Sequence, residues 1–458
     1  MLIKEYKCPN CAGAVRFSSS SQSMKCPFCD AEFEITALES YQKELELPAE
    51  DHFDWEKQSQ DSWNTLEQDE LSTGSCPSCG AELVGDKNSI AMVCPCCGNS
   101  QIVLKRLSGM LKPDYLIPFK LEKKDAVEAL KNFYKGKRLL PDCFKNENRV
   151  NCIQGVYFPF WLYDAQTKAH IRYKTTRTKT WSDSNYIYVK TDFFSVVRDG
   201  NMGFEKVPVD GSEKMNDDYM DAIEPFDYAK MKDFQSAFLS GFLAEKYDVD
   251  SESCKERAGK RMKASVETEF AKSVSGYSSV AVESSTVNVK GGKIKYSLFP
   301  VWVLNSKYKN ENYQFLMNGE SGKLVGRLPV DKGKSWKYRF LFTGIFGIIF
   351  TLITQAVKIY QEMENGITNF NFLDQSNIIF VSLSWLIAFI FGLTIVKFWK
   401  IKMNTAVGQT HACNYIIPGS LKFNEKKDSF LYSTVSKTRK QKNSSGGMGS
   451  FGGRGGRR

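Results

Sequence analysis

The sequence predicts a multidomain chain: two small β modules organised by cysteine quartets, an α+β domain, two transmembrane α-helices and a disordered basic Gly/Arg tail. Three observations carry this reading. A four-cysteine pattern occurs twice within the first 97 residues, two uncharged apolar runs of 18 and 19 residues lie near the C-terminal end, and short strand and helix signals alternate between them. With 42% hydrophobic and 25% charged residues over 458 positions, the composition is that of folded protein and excludes a disordered chain.

Nine of the 13 cysteines fall in the first 97 residues, mostly as Cys-Pro-x-Cys pairs. Cys8 and Cys11 are followed after fourteen residues by Cys26 and Cys29; Cys76 and Cys79 are followed after fourteen by Cys94 and Cys97. The equal spacing marks an internal duplication. Each CxxC turn aims two thiolates at one point, and two such turns at the ends of a hairpin supply a closed tetrahedral site, which points to two structural Zn2+ ions. A module this short cannot bury enough apolar surface to fold alone, so the metal must supply much of its stability. A redox dithiol or an iron–sulfur cluster fits less well, because both quartets share one spacing and no βαβ pattern surrounds them. Residues 1–36 and 75–105 are thus expected to be zinc ribbons, with short strands at Ala14 to Phe17 and Ala81 to Val84 leading out and Met24-Lys25 and Met92-Val93 leading back. Cys96 is an extra thiol, either exposed or able to replace Cys94 or Cys97. Clustering of this kind belongs in a reducing compartment, and the charged start at Lys4, Glu5 and Lys7 is no secretory signal.

Residues 37–74 hold eleven acidic and two basic side chains and read as an acidic linker. Residues 113–335 read as one cytoplasmic α+β domain. Val127, Leu130 and Phe133 mark a helix from about 123 to 135 that Gly136 stops, and Phe234, Phe238 and Phe242 mark a second by their spacing. A charged third helix is expected over 251–271. Aromatic and β-branched runs at 156–163, 171–173, 186–189 and 193–197 read as strands, as do 298–305, 313–317 and 324–328, with Asn318-Gly319 and Gly322 supplying hairpin turns. Asp217, Asp218, Asp221 and Glu224 read as a solvated acidic loop, and the scattered Cys143, Cys152, Cys254 and Cys413 as small buried residues. His52, His170 and His411 lie far apart without nucleophile or carboxylate patterns, so no catalytic residue is assigned.

Residues 336–400 read as a two-helix membrane anchor with spans at 340–357 and 378–396, each about 27 to 29 Å long as a helix. Lys332, Lys334, Lys337 and Arg339 precede the first span, and Lys397, Lys400 and Lys402 follow the second. By the positive-inside rule this gives a multi-pass protein of the inner membrane with both termini cytoplasmic. The spans hold no ionisable side chain, which favours an anchor over a transporter. Residues 401–458 read as a basic cytoplasmic tail that attracts anionic lipid, with nucleic acid as the alternative; from Ser444 the Gly/Arg composition predicts disorder.

The two CPxC ribbons, the runs Val156-Tyr157-Phe158-Pro159-Phe160-Trp161 and Leu298-Phe299-Pro300-Val301-Trp302, the hairpin from Met317 to Lys323, and Leu328-Pro329-Val330-Asp331 occur in an order that resembles a family of bacterial TFIIB-type zinc-ribbon membrane proteins. Nearly the whole chain takes part. A label likening such proteins to a primosomal helicase finds no support, because the phosphate-cradling GxxxxGK[ST] loop is missing. The resemblance implies a role beside phage-shock-protein-A-type and SPFH-domain proteins in envelope stress. The expected function is therefore a non-enzymatic adaptor that recruits a soluble partner to the cytoplasmic membrane face; the alternative is a membrane protein that binds nucleic acid through its ribbons and Gly/Arg tail.

Overall fold

A computed structural model describes residues 6–46, 50–56, 63, 72–85, 94–97, 99, 102–106, 111–145, 153–309, 311–364 and 375–440. Three short strands, β1 (Arg16–Ser18), β2 (Ser23–Lys25) and β3 (Glu32–Phe33), form one antiparallel sheet, followed by helix α1 (Ile35–Leu45). The other strands belong to a second sheet. Its first members are β4 (His52–Trp55), β5 (Ser72–Ser75), β6 (Glu82–Gly85), β7 (Val103–Arg106) and β8 (Tyr115–Leu116), after which comes helix α2 (Lys123–Tyr134). Two very long strands follow, β9 (Gln154–Ser182) and β10 (Tyr186–Asp210), then helix α3 (Asp217–Ala222), β11 (Lys232–Asp233), β12 (Leu243–Glu245) and helix α4 (Ser251–Ala271). The chain continues through β13 (Ser279–Tyr308), β14 (Glu311–Asn318) and β15 (Leu324–Gly326) into two long helices, α5 (Lys332–Glu364) and α6 (Gln375–Ile401), and ends in β16 (Lys422–Arg439).

The apolar run in β9 explains the layering. Strand side chains alternate between faces, and here both faces are covered. Tyr157, Trp161 and Tyr163 enter one core together with Tyr296 and Leu298 of β13, while Val156, Phe158, Phe160 and Leu162 enter another with Phe299, Val301 and Val303. Helix α4 covers the first core with Cys254, Ala258, Met262, Val266 and Phe270, and its start is capped by Asp250, whose carboxylate accepts from Ser253 N–H at 2.8 Å. Helix α2 begins at a capping box made by Glu122 and Asp125 and buries Ala126, Leu130 and Tyr134 at helical spacing.

Several expectations need correction. The phenylalanines at 234, 238 and 242 do not share a helix: a single 3-10 turn at Ser236–Leu239 ends at Gly241, whose φ of +78° is left-handed, and the chain then enters β12. Phe234 packs edge-on against Trp63, and Phe242 stacks on Phe119 at 4.3 Å. The spacing was helical, but each ring serves a different neighbour. Residues 37–74 are more than a linker, since they contain most of α1 and all of β4, which runs parallel to β13. Residues 75–105 are not a free-standing module, because β6 pairs with β12 in the main sheet. The expected tail at 401–458 contains β16, which pairs with β10 from Asn201 to Tyr186. Met92-Val93, Cys152 and the Gly/Arg segment from Ser444 lie outside the described residues.

Helices α5 and α6 form an antiparallel hairpin, long and apolar enough to cross a membrane. Only 6% and 17% of their apolar windows are buried inside the protein, where a core helix would be mostly buried. Gly347 lets the Trp385 ring lie against the α5 backbone, and Gly392 lies against Thr343 and the Arg339 carbonyl. The root of the hairpin is clasped by backbone hydrogen bonds: Leu328 N–H donates to Met403 O at 2.8 Å, and Thr405 N–H to Gly326 O at 3.1 Å. Both ends of the hairpin therefore return to one body.

Candidate metal centres

The Cys-Pro-x-Cys segments that start at Cys8, Cys26 and Cys76 fold as the same tight turn. Ala12 N–H donates to Cys8 O and Cys8 N–H to Gly13 O, both at 2.8 Å, and the pattern recurs with Asp30 and Ala31 around Cys26 and with Gly80 and Ala81 around Cys76. Proline presets the backbone inside the turn. The residue after the second cysteine must then reverse the chain, and Ala12, Asp30 and Gly80 all take φ between +57° and +73°. Backbone N–H groups at these turns aim at sulfur, as Asn10 N–H does toward Cys8 Sγ at 3.4 Å.

The turns bring the expected residues together. Cys8 Sγ is 3.6 Å from Cys29 Sγ and Cys11 Sγ is 3.5 Å from Cys26 Sγ; in the second group Cys76 and Cys97 are 3.6 Å apart, and Cys79 and Cys94 3.7 Å. Within each quartet all four sulfurs lie within 4.8 Å of one another. Four thiolates at about 2.3 Å from a tetrahedral ion would be ~3.8 Å apart, so both quartets have the size and donor set of a closed four-sulfur metal site. Burial pushes the Cys8 thiol up to about 12, whereas a hydrogen bond from the Cys96 thiol holds Cys94 down at about 4. A bound cation would take the proton from every ligand.

Cys96 is neither exposed nor a member of the second quartet. Its thiol keeps its proton, raised first by the contact with Cys94 and then by burial, and lies 3.5 Å from Glu245 Oε1 on β12. Glu245 also accepts from Ser212 Oγ at 3.0 Å. Of the scattered cysteines, Cys254 is buried and Cys143 half-buried, but Cys413 is exposed, contrary to expectation.

The two centres are held differently. The first rests on β16: Tyr432 stacks on Phe193 at 4.4 Å, meets Phe33 edge-on, and donates its hydroxyl to Asn10 Oδ1 inside the first cysteine turn at 3.0 Å. Helix α1 adds Tyr41 to Glu283 at 2.8 Å and Glu44 to His170 Nε2 at 2.7 Å, with Asp199 3.4 Å from the other ring nitrogen. The second centre is part of the main sheet through β5, β6 and β12. Sequence reasoning missed Tyr432, Glu245 and the carboxylates around His170, because each meets its partner across a long sequence separation. The acidic cluster is solvated only in part: Asp217 and Asp218 are exposed on α3, whereas Asp221 and Glu224 are buried. Glu224 is fully buried against Arg261 and Tyr415, and Arg257 binds Asp210, Asp217 and Asp221. These pairs tie β10, α3, α4 and the segment after the hairpin together.

The chain is 34% identical over 367 residues to a protein of Bacillus subtilis (strain 168) described as "Uncharacterized protein YdjG", a match covering 80% of this chain and 99% of that protein. No family model and no solved structure matches the chain.

Proposed function

The chain belongs to the family of Bacillus subtilis YdjG, and from its architecture we propose that it is a non-enzymatic adaptor, anchored in the inner membrane, that recruits a soluble protein to the cytoplasmic face. One observation carries this reading. An apolar helix hairpin with an almost unburied surface is rooted by both ends in a single body that also holds both cysteine quartets. Each quartet offers four thiolates and leaves no open coordination position, which supports zinc in a structural role. The lysines and the arginine flanking both spans support an orientation with the body and both termini in the cytoplasm. The resemblance to zinc-ribbon membrane proteins supports, as the partner, a membrane-associated stress protein of the phage-shock-protein-A or SPFH type.

Affinity purification of the full chain in mild detergent, with mass spectrometry of what accompanies it, tests the reading. Co-recovery of such a stress protein in comparable amount, lost when Cys76→Ser disrupts the second ribbon, supports the adaptor. Recovery of nuclease-sensitive RNA or DNA in place of protein favours the nucleic-acid alternative.

A further inference from the structure

A basic cleft of about 330 Å³ opens where the body meets the foot of the hairpin. Lys135, Lys137 and Arg138 line it from the loop after α2, and Trp399 and Lys402 from the end of α6. Among the described residues, no carboxylate lines it. The loop turns at Gly136, whose φ of +72° lets three cations fall on successive positions around one glycine. It is also fixed to the helix: Lys137 Nζ donates to Lys402 O at 2.6 Å, and the Arg138 guanidinium lies 5.0 Å over the Trp399 ring. Burial and the charge of Lys402 both lower the Lys137 pKa, the signature of cations gathered without a counter-charge.

Depth identifies the anion. Lys402 is six residues beyond Val396, the last residue of the uncharged run, which is about 9 Å along a helix. The polar layer on each side of a bilayer is only about 5 to 8 Å thick beyond the hydrocarbon. Trp399, three residues or about 4.5 Å beyond Val396, thus falls within the polar layer, where interfacial indoles and lipid phosphates lie, and Lys402 falls at its outer edge, so the cleft faces the phosphates from the aqueous side. We propose that this cleft is a binding site for the phosphate of an anionic phospholipid headgroup, with Lys135, Arg138 and Lys402 as donors to it and Lys137 pinning the loop. The inference rests on the membrane-anchor reading, and free phosphate would share its chemistry.

The full chain in zwitterionic micelles, titrated with a fluorescent phosphatidylglycerol and challenged with phosphatidylglycerol, phosphatidylcholine or inorganic phosphate, tests it. Phosphatidylglycerol should displace the probe, while phosphatidylcholine and millimolar phosphate should not. Lys135→Gln with Arg138→Gln should weaken binding about tenfold through the loss of two charge-assisted contacts. Lys397→Gln with Lys400→Gln removes the same charge at similar depth outside the cleft and should change it less than about twofold, since diffuse attraction would treat the pairs alike. Equal effects of the two pairs, or displacement by phosphate as effective as by lipid, would overturn the site. Carbonate extraction of membranes reads the anchor separately: release of the wild-type chain defeats the anchor, whereas retention of all variants with unchanged lipid affinity defeats the cleft.

Discussion

Glu245 stands at the seam between the second metal centre and the main sheet, with Cys96 and Ser212 on one carboxyl oxygen and no partner for the other among the described residues. Burial raises its pKa from an ordinary 4.5 to about 8. The unfolded chain gives up this proton near 4.5 and the folded chain near 8, so the stability linked to it is complete below 4.5 and is lost as pH rises through 8. Between pH 6 and 8.5, where thiolate ligands keep their metal, the wild type should lose thermal stability with a slope that Glu245→Gln flattens; parallel midpoints for the two proteins would show that the carboxyl is already ionised. Nothing in the sequence singled out Glu245. The quartets were legible because metal spacing is a local property of the chain, written into four CPxC turns. Glu245 lies 149 residues from Cys96, and Tyr432 lies 422 residues from Asn10, so their roles exist only once the sheet is formed.

Among the elements, the two ribbons differ in what their metals support. The first has its own three-stranded sheet and touches the body through α1 and side chains on β16, whereas the second shares β6 with the main sheet. Cys8→Ser and Cys76→Ser should each reduce zinc from two ions to one per chain by elemental analysis, but with unequal consequences. Cys8→Ser should expose the N-terminal residues to protease and leave unfolding of the body near wild type. Cys76→Ser should lower the thermal midpoint by about 5 °C or more, because losing a few kcal/mol has that effect in a domain of this size. Iron in place of zinc, or equal midpoints for the two variants, would contradict this account. Legibility varied by element for physical reasons. Helix α4 matched its expected range because its cap and charge pattern are local. Strand β16 was taken for tail because only Leu431 and Tyr432 along it are buried; it is an outer strand covered with lysines and polar side chains, the composition that protects an edge from unwanted pairing.

At the scale of the whole molecule, the apolar hairpin is an insertion within the body. The uncharged runs announced two helices, but the sequence alone suggested that the folded part ended at the first of them. Instead the chain comes back: Met403 and Thr405 bond Leu328 and Gly326, Tyr415 reaches buried Glu224, and β16 completes the flank of β10. An insertion whose ends are bonded to each other can be shortened without cutting the body. Gly392 packs against Thr343 and the Arg339 carbonyl, so the two helices are neighbours at that level. Replacing residues 344–391 with a short glycine-containing loop, of the two to five residues that join antiparallel helices, keeps the stem in which Trp399 meets Tyr338 and Phe342. This shortened protein should leave the membrane fraction, bind two metal ions and unfold cooperatively near the wild-type temperature. Any residual attachment to anionic vesicles should come from the basic foot of the hairpin and dissolve in high salt, since screening removes charge attraction but not insertion. Truncation after Ile401 is the contrasting case, because it removes β16 and Tyr415 and leaves Glu224 facing Arg261 alone; it should yield aggregated protein. If the shortened protein instead aggregates like the truncated one, the apolar helices are part of the core and the anchor reading fails.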